Sequence, residues 1–201
     1  WQSVAYGNGL WVAVANTGDA GLGTLKRVMT STNGEDWTLR TGAADNMWQS
    51  VAYGNGVWIA VGILGPGNRV MTSTDGEDWT SVDPSTSSSI DGNANWLSVA
   101  YGNGVWVAVA NTVDQVMRSS DNGKTWTGVT GAEANSWQSV AYGNGVWVAV
   151  SSTGGNRVMR AVDPIAGACT FTTARANLPF TGDLQSATSI HVVGSRVYAG
   201  T

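Results

Sequence analysis

The chain is poor in the residues that most often announce chemistry. It has one cysteine, Cys169, so no internal disulfide can form and a metal site of the paired-cysteine kind is excluded. It has one histidine, His191, which in an expected strand reads as a packing or hydrogen-bonding residue, since metal sites need several donors. No metal and no cofactor are expected. Charge is also scarce: 12% of the residues are charged, the net charge is −4, and the ten Lys and Arg residues are scattered. That distribution lacks the basic patch of a nucleic-acid binder. The longest apolar runs, such as 57–61 and 105–110, fall far short of the roughly 20 residues that a membrane-spanning helix needs. The chain opens at Trp1 with neither an initiator Met nor a signal peptide, from which a processed or excised piece is expected.

What the chain has in quantity is repetition. The segment Trp1-Gln-Ser-Val-Ala-Tyr-Gly-Asn-Gly-Leu-Trp-Val-Ala-Val14 recurs almost unchanged from Trp48, Trp96 and Trp137, at spacings of 47, 48 and 41 residues. A fainter fifth copy is read from Leu184, with Gly194-Ser-Arg-Val-Tyr198 in place of Gly-Asn-Gly-Val-Trp. Periods of about 40 to 45 residues mark blade architectures. Each copy reads as four short strands, A to D, separated by Gly, Asn and Asp clusters. In the first copy, A covers 1–6, B covers 10–15, C lies near 27–30, and D starts at Trp37. Strand B is apolar on both faces, as in Val105-Trp-Val-Ala-Val109, so it must lie between two layers. All eleven Trp residues fall at repeat positions: four open strand A, four sit in strand B and three begin strand D. Residues fixed by repeat position are expected to pack one sheet against the next, although a ring of ligand-stacking indoles is the functional alternative.

The residues before each strand-D Trp carry a family resemblance. Ser119-Ser-Asp121-Asn-Gly123-Lys-Thr125-Trp126 resembles the Asp-box, the repeat of sialidases, related glycosidases, photosystem-assembly propellers and many non-enzymatic surface proteins. The resemblance implies a β-propeller in which this motif forms the turn between strands C and D and has a structural role. Two copies depart from it: 30–37 and 72–79 keep Gly34, Trp37, Gly76 and Trp79 but carry Thr32 and Thr74 where Asp is expected. Asn33 and Asp75 are expected to cap those turns instead. The fourth copy, 163–171, is eroded and longer. The expected fold is therefore all-β: four complete four-stranded antiparallel blades at about 1–47, 48–95, 96–136 and 137–183, plus the first two strands of a fifth at 184–201. Such a chain is a fragment of a larger propeller, with a closed five-bladed ring as the alternative.

No catalytic constellation emerges. Gly21-Leu-Gly23 has no helix behind it, which disfavours a phosphate-binding loop. Sialidases use three converging arginines, and Arg27, Arg69 and Arg157 do recur. Strand C is third from the axis, however, and two strand spacings place them roughly 10 Å beyond the channel-lining strands. Glu35 with Asp36 and Glu77 with Asp78 fall in the expected turns, Glu133 is the only Glu elsewhere, and Tyr6, Tyr53, Tyr101 and Tyr142 repeat identically, so none stands out as a nucleophile.

Variation between copies is concentrated in the B–C loops and the D–A loops, which emerge on one face. Binding residues tend to sit on such loops, and Asp19, Lys26, Asp91, Asn93, Asp114 and Glu133 are the candidate ligand contacts. The function expected is a non-enzymatic binding module for a glycan or protein partner, on a secreted, cell-surface or virion protein. A sialidase- or glycosidase-like hydrolase with catalytic residues outside these 201 positions is the second reading, and a structural or assembly-factor propeller the third.

Overall fold

The computed structural model describes residues 1–17, 25–65, 68–86, 89–91, 94–112, 115–162, 170–173, 189–193 and 196–200. Four antiparallel sheets follow one another along the chain, each with its strands in sequence order. The first comprises β1 (Ser3–Gly7), β2 (Leu10–Val14), β3 (Val28–Ser31) and β4 (Thr38–Arg40). The second comprises β5 (Met47–Gly54), β6 (Val57–Ile63), β7 (Val70–Ser73) and β8 (Thr80–Val82). The third comprises β9 (Trp96–Gly102), β10 (Val105–Ala110), β11 (Gln115–Ser119) and β12 (Thr127–Thr130). The fourth comprises β13 (Trp137–Gly143), β14 (Val146–Ser151), β15 (Val158–Val162) and β16 (Thr172–Thr173). A two-stranded hairpin, β17 (Ser189–Val193) with β18 (Arg196–Gly200), completes the described chain.

Local sequence sets the first hairpin of each sheet. Gly7 pairs with Leu10, leaving Asn8-Gly9 as a two-residue turn with φ of 49° and 78°. Positive φ at both turn residues matches the right-handed twist of the flanking strands, and Asn-Gly tolerates it best.

The sheets stack as blades. The first strands lie side by side in order, β1 on β5, β5 on β9, β9 on β13 and β13 on β17. A hydrogen bond at the same place marks each step: the amide N–H groups of Val51, Val99, Val140 and Ile190 donate to the hydroxyls of Ser3, Ser50, Ser98 and Ser139 at 3.2, 3.2, 3.2 and 3.3 Å. The core is divided accordingly. Val12, Val14 and Val28 of the first blade pack against Trp48, Val51, Trp58 and Met71 of the second. The same layers recur between the second and third blades and between the third and fourth. This is the blade order of a β-propeller, with strand B of the second and third blades covered on both sides.

Seven indoles are buried: Trp48, Trp58, Trp96, Trp106, Trp126, Trp137 and Trp147. Trp11, Trp37 and Trp79 are half-buried. Trp1 departs from the packing expected of all eleven and is 55% exposed, because no described blade lies on that side of β1.

Two sequence alignments are corrected by the structure. In the first two blades Asn33 and Asp75, not Thr32 and Thr74, stand where Asp121 stands in the third. Ser31, Ser73 and Ser119 each accept the amide N–H of the glycine that follows, at 2.8, 2.8 and 2.9 Å. Asn33 and Asp75 are two residues past that serine, as Asp121 is, and the first two turns are one residue shorter thereafter. The fifth copy is also displaced. The Ile190–Ser139 bond and the pairing of Val193 with Arg196 put Ser189, not Ser186, at the position of Ser139. The fourth C–D connection is longer, as expected, with nine residues between β15 and β16 against seven between β11 and β12. Phe171 is buried there in the core where the other copies place Trp.

Candidate functional site

Antiparallel order sends the A–B and C–D turns to one end of every blade and the B–C and D–A loops to the other. The turn end repeats one pattern of contacts in the first three blades. Asn33 Oδ1 accepts the amides of Glu35 and Asp36, both at 2.9 Å, and Asp75 Oδ1 accepts those of Glu77 and Asp78 at the same distance. Asp121 accepts the Thr125 amide at 2.9 Å and its hydroxyl at 2.6 Å. The following indole closes each turn by donating to the glycine carbonyl, Trp37 to Gly34, Trp79 to Gly76 and Trp126 to Gly123, at 3.0 to 3.1 Å. Amide donors from Asp78 and Glu77 hold the Asp75 carboxyl below its ordinary value of 3.8. At Asp121 burial pushes the carboxyl up, but the Thr125 hydroxyl and amide outweigh it and the net shift is downward. These polar groups serve the turn backbone.

The loop end is held by a different set of contacts, which cross from one loop to another. Arg27 donates to the Asn46 carbonyl at 2.7 Å and pairs with Asp45 at 2.9 Å. Arg69, only 8% exposed, donates to the Ala94 carbonyl and to Asn95 Oδ1, both at 3.0 Å. Asn46 and Asn135, both buried, donate in turn to the carbonyls of Asn68 and Asn156 at 2.5 and 2.8 Å. The D–A loops at 41–46, 83–95 and 131–136 are thereby fastened to B–C loops beside them. The three strand-C arginines do not converge: Arg27 and Arg69 are spent on different D–A loops, and Arg157 Nε donates to the Gly154 carbonyl at 3.1 Å.

The candidate ligand contacts are spread along this face. Lys26 Nζ donates to Thr41 at 3.0 Å, a bond between a B–C and a D–A loop. Glu133 accepts from the amide and side-chain nitrogens of Asn156, again joining the two loop types. Asp91 is exposed, and its carbonyl accepts the Ala94 amide at 3.0 Å. Asp19, Asn93 and Asp114 lie outside the described residues. No group of three or more His, Cys, Asp or Glu side chains suited to a metal occurs among the described residues. No described helix is long and apolar enough to cross a membrane. Asn46 and Asn135 were not singled out from sequence. Their position two residues before a strand-A Trp was the available signal.

No protein-family model matches the chain, and no curated protein matches it by sequence. Solved structures do match in fold. The extracellular domain of the hybrid two component system BT4673 from B. thetaiotaomicron is similar over 99% of this chain and 26% of its own, at TM-score 0.66 and 11% identity. The GH74 xyloglucanase from Xanthomonas campestris is similar over 94% of this chain and 26% of its own, at TM-score 0.58 and 18% identity. YCF48 bound to D1 peptide is similar over 86% of this chain and 54% of its own, at TM-score 0.58 and 19% identity. These likenesses define a β-propeller module, and the chain spans from about a quarter to about half of those proteins.

Proposed function

We propose that this chain is a non-enzymatic recognition module of the Asp-box propeller type, which binds a protein or peptide segment across its variable-loop face on a secreted, cell-surface or virion protein. The reading rests on one observation: loops that differ from blade to blade are fastened to each other by buried side chains, Arg69, Asn46 and Asn135, while on the opposite face the C–D turns of the first three blades repeat one pattern of contacts. Variable loops on a fixed frame are the usual home of binding residues. The loop segments 16–26, 41–46, 62–68, 83–95, 111–114, 131–136 and 151–156 contain no aromatic residue and offer no stacking platform for sugar rings; the fourth D–A connection, 174–188, carries one aromatic, Phe180, outside the described residues. Serine, asparagine, glycine and backbone amides suit hydrogen bonding to a polypeptide instead. A peptide in complex with the similar YCF48 fold agrees with that chemistry. Sialidase-type hydrolysis is disfavoured because the strand-C arginines are engaged separately.

The test is a peptide-display selection run beside a glycan array on the full chain, repeated after residues 84–95 are replaced by the shorter connection 131–136. Selected peptides should lose binding in the exchanged chain and keep it in Asp121→Asn, which alters only the turn face. Glycan binding alone, turnover of glycosides, or peptide binding indifferent to the exchange would each contradict the proposal.

A further inference from the structure

The contact between blades uses the same chemistry at each step. The side a blade turns toward the preceding one is large: Trp48, Val51, Tyr53 and Trp58 in the second blade. The side it turns toward the next is small: Ala5, Leu10, Val12 and Val14 in the first. Two details fix the fit. The inner-strand serine takes an amide from the next blade, as in Val51 to Ser3, Val99 to Ser50 and Val140 to Ser98. The glycine four residues later receives a tyrosine ring: Tyr53 lies over Gly7, Tyr101 over Gly54 and Tyr142 over Gly102, each so close that a Cβ would overlap the ring. The small side therefore reads Ser-x-Ala-x-Gly along its inner strand, in Ser3–Gly7, Ser50–Gly54 and Ser98–Gly102 alike.

On the first blade the large side is open. Val4 is 55% and Tyr6 56% exposed, whereas Val51, Val99 and Val140 are 4 to 5% exposed. The surface is nevertheless arranged as in the covered blades, because the Tyr6 ring lies tilted against Trp11 with centroids 4.8 Å apart, as Tyr53 does against Trp58. We propose that this face, built from Trp1, Val4, Tyr6 and Trp11, is a docking site for a further blade of this repeat whose inner strand carries Ser-x-Ala-x-Gly, and that the chain's own β17–β18 hairpin does not fill it. The hairpin keeps the serine as Ser189. Its backbone register, however, puts His191 at the position of Ala141 and Val193 at that of Gly143. A residue with a Cβ at the glycine position takes the space that the Tyr6 ring requires.

The experiment uses the full chain and an extended one, in which a second copy of residues 1–47 precedes Trp1 at the natural repeat spacing. Iodide quenching of the original Trp1 indole is read as the difference from its Trp1→Phe counterpart, with sedimentation velocity reporting oligomeric state. The 201-residue chain should be monomeric with Trp1 quenched. In the extended chain, quenching of that indole should fall to the level of the buried ones and the thermal midpoint should rise. Gly7→Val in the added copy should abolish the protection, and Tyr6→Ala in the original blade should restore it. Protection of Trp1 in the monomeric 201-residue chain would mean that β17–β18 closes on it and would overturn the proposal. Protection that grows with dimer formation would make a second copy the occupant and would also overturn it. An extended chain that gains a full blade of β-structure by circular dichroism yet leaves Trp1 exposed, or that docks equally well with Gly7→Val, would do the same.

Discussion

At the scale of single residues, small changes of side chain decide whether blades can meet. A Cβ at Gly54 would overlap the Tyr101 ring, although the backbone there is not in the left-handed region, so the obstacle is packing alone. Gly54→Ala should lower stability by about 1–3 kcal/mol, the usual cost of overpacking. Gly155→Ala, with open space around the position, should be close to neutral by denaturant unfolding. Loss of equal size at both sites would count against the close approach. The turn carboxylates make a second prediction. Asp121 and Asp75 have folded-state values below 3.8, so their contribution is present above that value and is lost as pH falls from about 4 through the lowered value. Asp121→Asn should weaken this acid dependence at little cost near neutrality, because Asn33 fills the same turn position with its Oδ1. Asp121→Ala leaves the Thr125 amide and hydroxyl without that acceptor and should cost about 1–2 kcal/mol. Unfolding midpoints at pH 7 and pH 3 check both. The role of Asn33 was half legible: its capping follows from the residue type, but the Asp-box alignment concealed the one-residue deletion that puts it at the Asp121 position.

At the scale of elements, the loops are the parts whose geometry depends on distant contacts. Arg69 reaches from the start of β7 into the connection before β9, where both of its described acceptors lie. Arg69→Met removes them and should release the 84–95 connection, with faster proteolytic cleavage there and a loss of about 1–3 kcal/mol. Cleavage at an unchanged rate would show that the loop does not depend on this anchor. The strands and their order were legible because the apolar runs, the Gly, Asn and Asp clusters between them and the repeated Trp positions all point to one four-stranded unit. The loop fastening was not. Hydrogen bonds such as Asn46 to Asn68 and Asn135 to Asn156 join segments more than twenty residues apart, and periodicity says nothing about them. The fifth copy shows the same limit, since without the Trp and Tyr anchors its alignment slipped by three residues, from Ser186 to Ser189.

At the scale of the whole molecule, the fold is a sequence of like interfaces, each made by the large side of one blade on the small side of the blade before it. Stability then depends chiefly on contacts between neighbours, as in other repeat architectures. The first blade shares its small side with the second but leaves its large side exposed, so hydrogen exchange in β1 should be faster than in β5, β9 and β13. Blade stacking also makes a definite claim on the indoles. Of the eleven, Trp48, Trp58, Trp96, Trp106, Trp126, Trp137 and Trp147 are buried, and Trp1 is exposed. Exchange of the indole N–H groups with deuterated solvent, followed residue by residue by nitrogen-15 NMR, reads this out. Stacked blades predict seven slowly exchanging indoles and prompt exchange at Trp1. Prompt exchange at most of the seven would contradict the packing of these sheets face to face.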